Sequence, residues 1–305
     1  MRNTFAKEIT KIASKNEKII LLAGDIGNKL FDKFKSINKK RFFNCGVAEA
    51  NMTSVAAGLA KSGFLPFTYT IASFNSYKIV EQIKLDICYP NLPVVIVGVG
   101  SGLSYSNLGT THHSIEDIAV LNGINNLQII SPADSKELKV MIPQIIKSKK
   151  PTYLRIGKKN EKNVFKDRCN TKMGTPTRIK KGVNICVFST GNILFNICEA
   201  VNKIKNKSSI EIVNIHTIKP INEKKILPFL KRFKKIMIVE EHVSEGGLGS
   251  IIMKIAAKYK TNNLFKNINL GNEFITGAGE ISNVRKKFRL DVNSLTKLLS
   301  NLNKK

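Results

Sequence analysis

Two consecutive three-layer α/β domains, each with a mainly parallel sheet, are what the amino-acid sequence predicts, on three observations. The chain has 305 residues, and at ~100 to 200 residues per domain that length points to two. Short apolar, β-branched runs alternate with helical patterns from end to end, the signature of a parallel sheet with crossover helices. Between about 157 and 182 the chain reads GKKNEKNVFKDRCNTKMGTPTRIKKG, polar, with Gly and Pro and with neither period two nor period 3.6. The expected organisation is therefore a first domain at 1–160, a linker at 161–181 and a second domain at 182–305.

In the first domain, Phe5, Ile9 and Ile12 recur at spacings of four and three, which predicts an amphipathic N-terminal helix rather than the continuous apolar core of an export signal. Strands are expected at 18–24 (KIILLAG), 41–47 (RFFNCGV), 93–100 (PVVIVGVG), 127–131 (LQIIS) and 152–157 (TYLRIG). The clearest helix starts at Ala48, where Ala48, Met52, Val55 and Leu59 recur on one face and Gly63 supplies the stop. Further helices follow Ser73, Ser114 and Ser135, each hydroxyl a candidate N-cap. In the second domain, strands are expected at 184–191, 209–215 and 235–242, with helices at 194–205, 223–233, 249–259 and 292–302.

Composition narrows the function. Hydrophobic residues make up 42% and charged residues 24%, globular values, and no apolar run approaches the ~18 to 20 residues that a membrane span needs. The net charge is +28, but only eight of the 50 basic residues are Arg. Lys is spread along the chain with no basic block interleaved with aromatics, so a solvated Lys-rich surface is expected rather than a nucleic-acid groove, with a field that draws anionic substrates. Five cysteines without a C-x-x-C pair encode neither a disulfide framework nor a zinc site, and fit a reducing cytoplasm.

Ligands of open α/β sheets bind beyond the carboxyl ends of the strands, and three segments qualify. In 44–52, Glu49 opens an apolar helix. It reads either as a first-turn acid favoured by the helix dipole or as a partly buried carboxyl able to share a proton. In the Gly-rich loop at 98–117, His112 and His113 stand together before a helix, positioned for acid/base work; Glu116 and Asp117 follow, without a recognised metal spacing. At the end of the 152–157 strand, Arg155 and then Lys158 and Lys159 could hold a phosphate, beside the plain reading of Lys158 as surface charge. Near the C-terminal part, Gly246, Gly247 and Gly249 superficially resemble a phosphate turn, but Glu240, Glu241 and Glu245 argue for a structural one.

Taken in order, GDIG at 24–27, GVAEANM at 46–52, SF at 73–74, EQIKLDICYPNLPVVIVG at 81–98, GTTHHSIEDIAVL at 109–121, ISPAD at 130–134, VNIHTIKPI at 213–221 and VEEHVSEGGLGS at 239–250 resemble the C-terminal half of transketolase, in the form split between two chains. The resemblance implies a pyrimidine-binding domain of the thiamine-diphosphate fold followed by a transketolase C-terminal domain. It also implies a partner, the N-terminal subunit, whose GDG motif and downstream Asn hold the diphosphate and Mg²⁺; no such motif stands in this sequence. A dimer of heterodimers, transfer of a two-carbon ketol unit between sugar phosphates, and no specific nucleic-acid partner complete the expectation.

By the same resemblance Glu49 bonds N1′ of the cofactor's aminopyrimidine, Phe74 stacks on that ring, and Val47 and Ile71 complete an apolar slot. His112 and His113 face the sugar, and Arg155 and Lys158 hold its phosphate. The sequence departs from the common pattern at Leu108, where an acid usually reads a substrate hydroxyl, and at His113, usually Gln. A substrate other than the ordinary pentose-pathway sugars is therefore expected. Alternatives of the same domain order are a 1-deoxyxylulose-5-phosphate-synthase-like chain, a 2-oxoacid dehydrogenase β-like chain, or a non-catalytic binding protein.

Overall fold

The structure, a computed structural model, describes residues 1–27, 29–159, 161–166 and 169–304. Helix α1 (Arg2–Ala13) leads into β1 (Ile19–Ala23), a run buried at every position. Its period-two alternation sends Ile19 and Leu21 into one core layer and Ile20 and Leu22 into the other. A short α2 (Asp32–Lys35), β2 (Phe42–Asn44), α3 (Glu49–Lys61) and β3 (Leu65–Ile71) follow. Next come a helical stretch from Tyr77 that contains α4 (Val80–Gln82), then β4 (Val95–Val99), α5 (Asp117–Asn122), β5 (Gln128–Ile130), α6 (Ser135–Ser148) and β6 (Thr152–Ile156). β7 (Thr177–Lys180), β8 (Ile185–Ser189), α7 (Leu194–Asn202), β9 (Ile210–Asn214) and β10 (Thr217–Lys219) open the second half. It closes with α8 (Glu223–Arg232), β11 (Lys235–Val239), α9 (Leu248–Lys258), β12 (Leu264–Ile268), α10 (Ile281–Lys287) and α11 (Val292–Lys304).

The strands form a seven-stranded sheet in the order β10-β5-β6-β4-β3-β1-β2 and a five-stranded sheet in the order β12-β11-β8-β9-β7. All pairings are parallel except β10 on β5 and β7 on β9. Two mainly parallel α/β domains are thus observed, as expected, with one crossing. β10 lies beyond the second domain's first strands in sequence, yet it edges the first sheet, Thr217 facing Ile130.

Several local expectations are corrected. β3 was not expected: Pro66 and the buried Thr68 and Thr70 interrupt its apolar run, although it lies centrally, between β1 and β4. β12 and β10 were also missed, and β7 occupies the end of the stretch expected as a linker, in which Asn160, Asp167 and Arg168 lie outside the described residues. On α3 the buried face is not Ala48, Val55 and Leu59. Met52, Thr53, Ala56, Ala57 and Ala60 turn inward with Glu49, while Val55 is 44% exposed, because a face of small side chains lets the helix lie close on the sheet.

None of the three serine caps forms. Asp134, not Ser135, caps α6, its Oδ1 accepting from the backbone N–H of Lys136 and Glu137 at 2.9 Å each. The hydroxyl of Ser73 donates to the Thr111 carbonyl, and α5 begins at Asp117, three residues past Ser114.

Two carboxyls and two histidines are buried in the interior. Glu137 of α6 accepts from the Ala133 N–H and from Asn214 Nδ2 of β9, 2.7 and 2.8 Å away, and burial pushes it up to about 7. Burial likewise pushes Glu240 up to about 7 and His216 and His242 down to about 4. A raised carboxyl contributes stability that is complete below its ordinary value of 4.5 and is lost as pH rises through about 7. A lowered histidine contributes stability that is complete above 6.5 and is lost as pH falls through about 4. Glu137→Gln keeps an acceptor for both donors and deletes one of these dependences. Its Tm relative to wild type should therefore climb between about pH 5 and about pH 8 in thermal melts; an offset independent of pH would refute the assignment.

Candidate active site

The carboxyl ends of β2, β3, β4 and β6 point to one region, and the loops that leave them carry the residues singled out from the sequence. After β2 the chain turns through Gly46 and Val47, and Glu49 enters the first turn of α3 with only 2% of its surface exposed. After β3, Ile71 ends the strand and Phe74 follows, half-buried. Tyr77 then anchors the start of the next helical stretch, its one hydroxyl proton shared between the His113 carbonyl, 2.9 Å away, and Glu116 Oε2, 3.0 Å away. That anchor places Lys78 beside Glu49. The Lys78 ammonium donates to Glu49 Oε2 at 2.6 Å and lies 5.9 Å from the centre of the Phe74 ring.

The loop after β4 is folded back on itself. Gly100 has φ +89°, and a Cβ there would fall 2.0 Å from the Tyr105 ring, so glycine lets Tyr105 lie against the backbone. His112 then comes within 5.3 Å of Phe74 and 6.0 Å of Tyr105, ring centre to ring centre. Lys158 completes the line, its ammonium 4.1 Å from the centre of the Tyr105 ring. Glu49, Lys78, Phe74, His112, Tyr105 and Lys158 thus form one continuous row. Partial burial, then the neighbouring His113 and Lys158, hold the His112 imidazole below its ordinary value, which favours the neutral ring that can accept a proton near pH 7.

The second domain supports this loop. The Thr110 hydroxyl donates to the Ile275 carbonyl at 2.9 Å and the Gly279 N–H donates to the Ser106 carbonyl at 3.2 Å. Nothing in the sequence pattern marked 275–279, because such contacts use backbone atoms of any residue type. Lys78 and Tyr105 were missed as well: a lone Lys in a Lys-rich chain and a lone Tyr in a loop carry no signal.

Three expected site residues stand differently. Val47 is 75% exposed, so within this chain it does not close an apolar slot over Phe74. His113 is 3% exposed and is buried rather than turned outward beside His112. Arg155 is 3% exposed. Its Nε donates to Asp117 Oδ2 at 2.8 Å and its Nη2 to the carbonyls of Ser114 and Glu241 at 3.0 and 3.2 Å. Lys158 is the more accessible cation. It borders a cleft of about 510 Å³ between the domains, which Asn192, Phe195 and Arg285 also line.

The glycine turn after β11 is structural, as expected. Both oxygens of Glu240 accept from the first N–H groups of α9, those of Leu248 and Gly249, at 2.7 and 2.8 Å. The chain's own carboxylate fills the anion position of that helix. Among the described residues no group of three or more His, Cys, Asp or Glu could hold a metal ion, and no helix is long and apolar enough to cross a membrane.

Residues 1–162 match the family described as transketolase, pyrimidine binding domain, and residues 174–294 match transketolase, C-terminal domain. The chain belongs to the transketolase family. It is 31% identical to one subunit of an apulose-4-phosphate transketolase of Actinobacillus succinogenes, over 86% of this chain and 85% of that protein. A putative transketolase C-terminal section of Methanocaldococcus jannaschii is 30% identical, covering 97% of this chain and 94% of its own length. Among solved structures, a split-gene transketolase described as an inactive beta4 tetramer superposes with a TM-score of 0.87 at 25% identity, covering 99% of this chain and 97% of that one. Within the transketolase family the chain is accordingly of the split, beta type.

The geometry separates two roles for Arg155 by experiment. Arg155→Leu leaves Asp117 charged and unpaired in the interior, which costs about 3–5 kcal/mol. At ~2–4 °C per kcal/mol for a chain of this size, the Tm should drop on the order of 10 °C. An unchanged melt would instead mark Arg155 as a group held ready for a ligand.

Proposed function

We propose that this chain is the beta half of a two-chain, thiamine-diphosphate-dependent transketolase that moves a two-carbon ketol unit between sugar phosphates. The observation that carries the reading is the Glu49 carboxylate, withdrawn from water at a helix start, with an aromatic face at Phe74 and a neutral-leaning imidazole at His112 in the same row. These residues fit the aminopyrimidine end of the cofactor: a buried acceptor for a ring N–H, and an apolar ring surface for stacking, with Ile71 buried at the end of β3. In this reading the diphosphate and Mg²⁺ are held by the alpha-type partner.

When bound, the cofactor supplies the stabilised carbanion that the chain's own residues cannot. Glu49 would hold the proton at the ring nitrogen and so set the cofactor's tautomer. Phe74 would fix the ring plane. His112 would orient the sugar and exchange a proton with one of its hydroxyls, and Lys158 would draw the phosphate. Val47 at 75% exposure, Leu108 at 46% and Phe274 at 77% leave the face open, as expected of a site that is finished by another chain.

The proposed substrate is a sugar outside the common pentose-phosphate set. Leu108, exposed on the turn before His112, cannot hydrogen-bond a substrate hydroxyl, and a site that lacks this bond recognises a different sugar. Relatives named for apulose-4-phosphate, and for 6-deoxy-6-sulfo-D-fructose in Clostridium sp., support this direction.

The test is reconstitution with the partner chain followed by product analysis. A ketose phosphate donor should yield a two-carbon transfer product without release of CO₂; strict dependence on pyruvate would sink the proposal in favour of a synthase. Glu49→Ala should lower turnover by about 10²- to 10⁴-fold with assembly intact on gel filtration, and turnover near wild type would remove Glu49 from the cofactor's seat.

A further inference from the structure

Lys78 has no part in the function proposed above, yet its ammonium sits on the carboxylate that the proposal depends on. Among the described residues it is the one partner of the Glu49 side chain, at 2.6 Å. The pair is asymmetric: the Glu49 side chain is 2% exposed and that of Lys78 is 53% exposed. The buried member is anchored at the first turn of α3. The exposed member can move, because its stem lies at the rim of the site and its charge returns to water at small cost. Its ammonium also lies over the Phe74 ring, 5.9 Å from the centre, where it would crowd a flat ligand stacked on that face. One cation therefore blocks the hydrogen-bonding group and crowds the stacking surface.

We infer that Lys78 is a displaceable plug of the cofactor seat: it satisfies Glu49 in the empty chain and must be ejected before an aminopyrimidine can bond that carboxylate. The inference rests on the assignment of Glu49 made above. Its physical content is a competition. An unpartnered carboxylate withdrawn from water is costly, so the empty seat closes on Lys78, and only the fraction of molecules with the ammonium swung out can accept the ring. The apparent dissociation constant is raised by the inverse of that fraction. The plug thereby keeps Glu49 satisfied in the chain that has not yet met its partner.

The experiment is a calorimetric titration of thiamine diphosphate, with Mg²⁺ present, into the complex reconstituted with the partner chain. Wild type is compared with Lys78→Met, Lys78→Arg and Glu49→Gln. Lys78→Met keeps the apolar stem and removes the charge, and should bind the cofactor on the order of 5- to 10-fold more tightly; Lys78→Arg keeps the plug and should bind no more tightly than wild type. In the isolated chain, Lys78→Met should also melt below wild type, since Glu49 loses its partner. Lys78→Gln serves in place of the Met variant if that variant fails to assemble. Equal or weaker binding by the uncharged variants, with Glu49→Gln weakened, overturns the plug and leaves the assignment of Glu49 standing. Binding unaffected by Glu49→Gln overturns both.

Discussion

The buried pair of Arg155 and Asp117 is the reference point for the rest of the molecule. Two charges in a dry interior are expensive unless each remaining lone pair and N–H is used, and here most are. Asp117 accepts from its neighbour Ile118, from the Tyr153 hydroxyl and from Arg155. Arg155 directs its other donors to the carbonyls of Ser114, which ends the histidine loop, and Glu241, which follows β11. One guanidinium thus fixes three things to β6: the start of α5, the loop that carries His112, and the second domain. The distances along the row from Glu49 to Lys158 depend on that fixture, although neither end of the row touches it.

In a chain with 28 more cations than anions, several of the carboxylates are used inside. Glu240 caps α9, Glu137 bridges α6 to β9, Asp134 caps α6 and accepts from Val164 and Phe165, and Glu211 binds Arg178. Each holds structure together in a way that a surface acid in this chain would not, since solvent-exposed ion pairs contribute little. Glu49 differs from these in that its partner, Lys78, is a half-exposed lysine at the rim of the site.

Much of the fold was legible because continuous apolar runs such as those of β1, β4, β8 and β11 can only be buried strands of this length. β3 escaped because its second face is hydrogen-bonded rather than apolar, Thr70 reaching the Gly24 carbonyl and Asn75 serving Thr68 and Val97. The cap positions failed for a related reason: Ser, Thr and Asp neighbours compete for the same N–H groups, and the sequence does not say which wins. In the site, Glu49, Phe74 and His112 stood out by motif order. The burial of Arg155 and His113 did not, since a polar residue at a strand end reads as solvent-facing until the second domain is laid over it. Lys78 was illegible for a statistical reason, being one lysine among many.

β10 has the widest consequence. A strand of three residues, reached only after β8, α7 and β9 have been threaded into another sheet, returns to cover the open side of β5. Until the ribosome has delivered it, the first sheet presents a bare row of backbone groups, the kind of edge that pairs with stray chains. The two domains are therefore joined in biogenesis as well as in space. A boundary cut between the two halves would leave β5 as an uncovered edge of the first sheet.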